Sequence, residues 1–488
     1  MPNNIRYVAL SDLHLGAHTS LLTNLKVASD EIDPTAPSPV LIKLVECLQA
    51  LIGHNAPDAG KPTLILAGDL LELALADDSN ALMTFERFVD QVMNDGVELF
   101  ADIIYIPGNH DHHLWESSRE SQYVDYITSP AMPWGASLPS PWHTTHMFSD
   151  PTRSYSLTSL INRRPNLAAQ VVATYYPNFA LRSRNRYVVF HHGHFIEPIY
   201  HLMSTLKTML FPDSWIPAEV WNLEAENFAW IDFFWSTLGR SSAVGEDMSR
   251  IYEKLQNEEE FKKLLANMAQ SLAKKSGMPG WVDSIEAKVL QSAFDAIYDH
   301  IGSLERNQTE GVLGEDCEQG LYGYVDGLPN QKDKLGNPAG PLVNQMRDEG
   351  VRLGDADQFT FVFGHTHKPF QEKRNFQRIP GWANVYNSGG WVVDSVERQP
   401  FHGGAVILVD ENLAVTSLRM YNESADPSGY AVTVQEASHP GDSPGAFHQT
   451  ISNFVSSNAP PWKDFSDAVA RAISVRAQNL KSRIYSSP

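Results

Sequence analysis

Metal-ligating and acid–base side chains bunch at five places in this 488-residue chain. They are Asp12-Leu13-His14, Gly68-Asp69-Leu70-Leu71-Glu72, Gly108-Asn109-His110-Asp111, His191-His192-Gly193-His194 and Gly364-His365-Thr366-His367. Asp12, Asp69 and Asn109 offer oxygen donors, and His14, His192, His365 and His367 offer imidazoles, a mixture that suits Zn, Fe, Mn or Ni. Asp12 and His14, two residues apart at a strand end, can face the same side and chelate one ion. Gly68 before Asp69 marks a tight turn that presents a carboxylate able to bridge two ions. Asn109 adds a neutral oxygen, which limits the negative charge. Seven donors with one shared carboxylate match two divalent ions roughly 3.5–4 Å apart, the separation used in two-metal hydrolysis.

The elements that must position these groups are legible in the residues before them. Each cluster follows an apolar run of strand type: IRYVALS, TLILA, DIIYIP, RYVVF and FTFVF. In open α/β sheets the carboxyl ends of strands converge on one crevice, where residues distant in sequence meet. Helical spacing of apolar residues over Val40–Leu51 and Phe85–Met93 puts helices between the first strands, which predicts a parallel-rich α/β sheet. Residues 112–180 read as loops with one or two helices. From 198 to 350 the pattern turns helical. Ile199, Met203, Leu206 and Leu210 share one face, as do Phe228, Ile231, Phe234 or Trp235, and Leu238, with amphipathic helices to follow at Glu246–Ser276 and Trp281–Ile301. Trp215, Trp221, Trp230 and Trp235 crowd this stretch. They make either an aromatic lid for an acyl or isoprenoid tail, a bilayer contact, or the core of a small helical cap, the last being favoured. Strands resume at Ala383–Asn387, Ala405–Asp410 and Ala414–Met420. A linker or surface wrap follows Asn422, and a terminal helix over Trp462–Ile484 is expected to dock on the core. The expected organisation is a core over 1–197 and 351–422, a helical cap insertion over 198–350 and a C-terminal extension over 423–488.

Bulk properties narrow the partners. A net charge of −21 weighs against general nucleic-acid binding, which rests on neutralisation of phosphates by Lys and Arg. Cys47 and Cys317 stand alone in no ligand spacing, so disulfide scaffolds and thiolate zinc sites are excluded. A first strand at Ile5 leaves no room for a signal peptide, and no apolar run reaches spanning length. A cytoplasmic protein is expected, with peripheral membrane contact through the cap left open.

The order D-x-H, G-D-x-x-E, G-N-H-D, H-G and G-H-x-H resembles the calcineurin-like metallophosphoesterase superfamily, over roughly 5–195 and 355–420. The resemblance implies a β-sandwich of two mixed sheets flanked by helices. It implies that Asp12, His14, Asp69 and His367 hold one metal, and that Asp69, Asn109, His192 and His365 hold the other, with manganese favoured. The stretches SDLHLG and GDLLELALADD are similar to bacterial UDP-2,3-diacylglucosamine hydrolases, which carry Arg where this chain has His110. Hydroxide generated between the ions would attack phosphorus in line. His110 would protonate the leaving oxygen or stabilise the transition state, with Asp111 orienting its imidazole or, equally, capping a turn. Glu72 is expected to orient a ligand or to sit in a helix first turn. His194 is a second-layer or substrate contact or, equally, a hydrogen-bonded core histidine, the reading favoured for His191, and His112 and His113 have little functional claim. The expected substrate is a phosphorylated small molecule or lipid-linked phosphate. A cyclic-nucleotide phosphodiesterase or nuclease is the alternative, and a non-catalytic scaffold would be expected to have lost ligands that are all present here.

Overall fold

The computed structural model describes residues 3–27, 29–129, 132–237 and 312–486. Its strands are β1 (Ile5–Leu10), β2 (Thr63–Ala67), β3 (Ile103–Ile106), β4 (Thr152–Arg153), β5 (Val172–Thr174), β6 (Asn178–Ser183), β7 (Arg186–His191), β8 (Ile216–Pro217), β9 (Gln331–Lys332), β10 (Gln358–Phe363), β11 (Phe370–Asn375), β12 (Trp382–Asn387), β13 (Gly403–Asp410), β14 (Val415–Asn422) and β15 (Thr433–Gln435). They form an eight-stranded sheet, β15-β14-β13-β1-β2-β3-β5-β4, and a five-stranded sheet, β11-β12-β10-β7-β6, with β8 and β9 paired apart. The single parallel-rich sheet expected from periodicity is thereby corrected. The sandwich of two mixed sheets implied by the resemblance is what the chain adopts.

Side-chain alternation explains the sandwich. Successive residues of a strand face opposite sides, and here both sides are apolar. Val8, Leu10, Leu64 and Leu66 point to the outer face of the large sheet, against α1 (Pro39–Ile52) and α2 (Asp78–Val92). Ala9, Ile65, Ala67 and Ile106 point inward, where they meet Val188, Phe190 and Val362 of the smaller sheet. Tyr187, Val189, Phe361 and Phe363 cover that sheet's other face. β1, β2 and β3 run parallel to one another, and so do β7 and β10. The five motif strands thus divide three and two between the sheets.

Residues 112–180, read as loops with one or two helices, contain two helices, α3 (His112–Thr128) and α4 (Tyr155–Ile161), and in addition β4, β5 and the start of β6. The described part of 198–350 holds α5 (Leu202–Leu210), α6 (Val220–Trp230), a π-helical turn over Ile231–Thr237, α7 (Glu315–Asp326) and α8 (Pro341–Asp348). The helices expected at 246–276 and 281–301 lie outside the described residues. Leu223, Ile231, Trp235, Leu321 and Met346 share one core with Val189, Phe361 and Phe363. Part of the aromatic stretch is therefore plain packing, whereas Leu210 and Phe211 stand 69% and 65% exposed.

The stretch after Asn422, read as a linker or surface wrap, adds β15 to the sheet edge and forms α9 (Ala446–Phe454). The terminal helix α10 (Trp462–Ser486) docks through Trp462, Phe465, Val469 and Ile473. Arg476 on that helix donates to the carbonyls of Ser20 (2.7 Å) and Thr23 (2.6 Å). Among the described residues no helix is long and apolar enough to cross a membrane.

Candidate metal centre

The loops leaving β1, β2, β3, β7 and β10 are stitched to one another. Asp12 N–H donates to Gly68 O (2.9 Å), His14 N–H to Asp69 O (2.9 Å) and Gly364 N–H to His192 O (2.8 Å). His365 N–H donates to Asp12 Oδ1 at 2.9 Å, which joins the two sheets. Five of the eight described non-glycine residues with positive φ are Asp12, His14, Asp69, His365 and His367, at +45° to +69°. Such a conformation costs an L-residue about 1–2 kcal/mol, and strain of this kind persists where surrounding structure over-determines it. Glycines make room for the donors. Gly68 has φ +93°, and a Cβ there would overlap the His192 ring; a Cβ on Gly108 would overlap both the carboxylate and the backbone nitrogen of Asp69.

All seven candidate ligands come together, each almost fully buried. Asp12, His14 and His367 form one group, and Asp69, His192 and His365 another. Asp69 Oδ2 lies between them, 3.6 Å from His14 Nε2 and 3.3 Å from His192 Nε2, yet accepts no hydrogen bond. Around it, acceptors face acceptors. His14 Nε2 is 3.2 Å from His367 Nε2, His192 Nε2 is 2.9 Å from Asn109 Oδ1 and 3.3 Å from His365 Nδ1.

The far side of each imidazole explains which nitrogen faces inward. His14 Nδ1 lies 2.9 Å from Glu72 Oε2, and His367 Nδ1 2.6 Å from Asp394 Oδ2. His365 is turned the other way, with Nε2 2.9 Å from Glu197 Oε2 and Nδ1 inward. His192 Nδ1 faces the Ala67 carbonyl at 3.3 Å. A carboxylate or carbonyl in that place takes the ring N–H and leaves the inward nitrogen as a lone pair. Lone pairs 3 Å apart repel unless positive charge sits between them. With the unpartnered Asp69 oxygen, the donor set therefore fits a pair of divalent ions.

Glu72 does more than the sequence suggested. It lies in a loop rather than a helix turn, and its Oε1 is 2.8 Å from His110 Nδ1, so one buried carboxylate grips both His14 and His110. The expectation that Asp111 orients His110 is corrected. Asp111 accepts from the backbone N–H groups of Gly108 (2.7 Å), Leu70 (2.7 Å) and Leu71 (3.2 Å), so it clamps two loops together. His110 N–H in turn donates to Asp69 Oδ1 at 2.8 Å. Sequence reasoning missed Glu197 and Asp394. Glu197 follows His192 by five residues and Asp394 follows a strand outside the five motifs, spacings that carry no signal of their own.

Carboxylates and imidazoles at the site stabilise each other's charges. Burial drives the Asp69 carboxyl up, but the charges of His192, His110 and His14 outweigh it and hold it well below the usual range. Asp12 is likewise lowered, burial being outweighed by His367 and His192. Burial opposes charge on His192 and His367, yet Asp69 raises the first and Asp394 with Asp12 the second, each to about 9. Protons would hold these imidazoles where a metal would displace them. Asp111 is pushed up to about 6 by burial and by Asp69.

Among the described contacts, His194 is the one remaining histidine whose ring lies against a candidate ligand, His192, with centroids 5.6 Å apart. His191 packs between Tyr324 and Phe363, a core position as expected, and burial depresses it to about 3. His194 Nε2 is 3.3 Å from the Tyr176 hydroxyl, and its ring packs on Phe195 and Tyr200. His112 is fully buried against Glu224 (2.9 Å), which with Asp232 overcomes burial and raises it to about 10. His113 contacts Asp232 at 3.3 Å. These contacts tie α3, which starts just after His110 and Asp111, to α6 and the turn that follows it.

Comparison with known proteins bears on this geometry. The family model described as calcineurin-like phosphoesterase matches residues 5–254. No curated protein matches the chain. Among solved structures, a dimetal phosphatase from Danio rerio is 10% identical, with 86% of this chain and 95% of that chain covered at a TM-score of 0.28. With the family model spanning half of its length, the chain belongs to the calcineurin-like phosphoesterase family, as a metal-dependent phosphoric ester hydrolase.

Proposed function

We propose that Asp12, His14, Asp69 and His367 hold one divalent ion and that Asp69, Asn109, His192 and His365 hold a second, for hydrolysis of an amphiphilic phosphate ester or diphosphate. The observation that carries the metal assignment is the unpartnered Asp69 Oδ2 ringed by inward-facing lone pairs. Such ions, when bound, supply Lewis-acid charge and acidify water. Mixed oxygen and imidazole donors leave manganese, iron, zinc and nickel open, with manganese the first to test.

The chain's own residues would do the rest. His110, its Nδ1 held by Glu72, turns its other nitrogen to the departing oxygen and gives it a proton. Asp69 Oδ1 holds the His110 backbone, and Asp111 keeps the Asp69 and Asn109 loops in register. Burial of all these groups excludes water and strengthens each electrostatic contact.

An amphiphilic substrate is supported by the apolar surface at the end of α5. Met209, Leu210 and Phe211 are 42%, 69% and 65% exposed, with Trp215 beside them at 36%. Contiguous exposed apolar residues mark ligand or interface surfaces. The same surface supports peripheral contact with a bilayer, where indole rings are favoured. The test is manganese-dependent turnover of p-nitrophenyl phosphate and bis-p-nitrophenyl phosphate, then of alkyl phosphates of increasing chain length. His110→Ala should abolish turnover with metal content retained. A kcat/KM that does not rise with chain length, and does not respond to Leu210→Asp with Phe211→Asp, would refute the amphiphilic substrate.

A further inference from the structure

The two ion positions are not equivalent, and we propose that Glu197, through His365, sets how tightly the second is held. This rests on the dinuclear reading above. The first donor set contains two carboxylates, Asp12 and Asp69, and both of its imidazoles are backed by a carboxylate, Glu72 behind His14 and Asp394 behind His367. The second set has only the shared Asp69, the neutral Asn109 and two unequally supported imidazoles. His192 faces a carbonyl at 3.3 Å. His365 Nε2, by contrast, has the Glu197 carboxylate behind it, with Oε2 at 2.9 Å. The first position is therefore the tighter one, and the second leans on the Glu197–His365 contact.

Glu197 is built for that task. It is buried, and its backbone is held on both sides: its N–H donates to His194 O (3.0 Å), and its carbonyl accepts from Tyr200 N–H (3.2 Å). It sits where β7 gives way, through short 3-10 turns, to α5. Its carboxylate accepts from the His365 Nε2–H and leaves Nδ1 facing His192 Nε2 (3.3 Å), while its charge makes that nitrogen a better donor. Removing such a partner typically costs 10–100-fold in metal affinity. Glu197 is a positioning residue.

The experiment is titration of the full-length, chelator-stripped protein with Mn²⁺ by calorimetry, with elemental analysis after desalting. Wild type should bind two ions with unequal affinity. Glu197→Gln should weaken the looser ion 10–100-fold, bring retained metal toward one per chain and leave the tighter ion unchanged. Asp394→Asn should weaken the tighter ion instead. Fewer than two ions in wild type would refute the dinuclear reading itself. Two ions in wild type with both affinities unchanged, or both equally reduced, in Glu197→Gln would overturn the role of Glu197 and leave the dinuclear reading standing. Should the amide variant not fold, Glu197→Asp carries the same test: selective weakening of the looser ion supports the proposal, and two unaltered affinities overturn it.

Discussion

Glu72→Gln is an isosteric change whose consequence can be worked through atom by atom. Glu72 Oε1 accepts from Ala74 N–H (3.1 Å) and Leu75 N–H (3.0 Å) as well as facing His110 Nδ1, while Oε2 faces His14 Nδ1. Two backbone donors need an acceptor at the Oε1 position, so glutamine places its carbonyl there and its amide NH₂ against His14. His110 keeps an acceptor, but a neutral one. A hydrogen bond to a charged group contributes about 1.5–3 kcal/mol and a neutral one about 1, so His110 loses about 1–2 kcal/mol of orientation, or about 5- to 30-fold in kcat. His14 fares worse. Facing a donor, it must move its proton to Nε2, the nitrogen aimed at the first ion, and affinity there should fall 10–100-fold. The expected result is an enzyme that is nearly inactive at low manganese and is partly restored by excess metal to a ceiling 5- to 30-fold below wild type. Steady-state kinetics across a manganese series, with metal content measured in parallel, reads both effects. If metal affinity and saturated kcat both stay within twofold of wild type, the assignment of Glu72 to His14 and His110 is wrong.

Gly108→Ala alters no donor, but its Cβ would meet the Asp69 carboxylate and backbone nitrogen, neither of which can yield without moving the oxygen shared by the two positions. Elemental analysis should find both ions reduced, with kcat at least 100-fold down, and retention of two ions would exclude this packing. Glu423 predicts a pH-dependent stability. Burial and the nearby Asp394 charge raise its pKa from 4.5 to about 7, so the folded state binds more protons than the unfolded state across that window. Stability therefore falls as pH rises from about 4.5 to 7, by on the order of 3 kcal/mol. Glu423→Gln should raise Tm at pH 8 while changing it little at pH 5, and an equal shift at both would refute the assignment.

Much of this was legible before folding. The five clusters and their strands appear in the right order because ligand identity and two-residue alternation are local properties. Strands buried on both sides read as unbroken apolar runs, so β1, β2, β3, β7 and β10 could be found, though not allotted to two sheets. Allotment depends on which face meets which partner, as when Ala9 and Ile65 meet Val188 and Val362 across the sandwich. The wrong role for Asp111 has a similar origin. Adjacency to His110 made a pair plausible, whereas in the folded loop the backbone turns that carboxylate toward the amides of Gly108, Leu70 and Leu71.

The sequence by itself determined the candidate donors and the reaction class, since side-chain chemistry and short spacing survive in an unfolded chain. Only the tertiary structure decided which imidazole nitrogen points inward and which carboxylate stands behind it. Glu72, Glu197 and Asp394 reach their histidines across 58, 168 and 27 residues of chain. No local pattern encodes such pairs, because they arise when loops from separate sheets are packed to van der Waals contact and every buried N–H must find an acceptor.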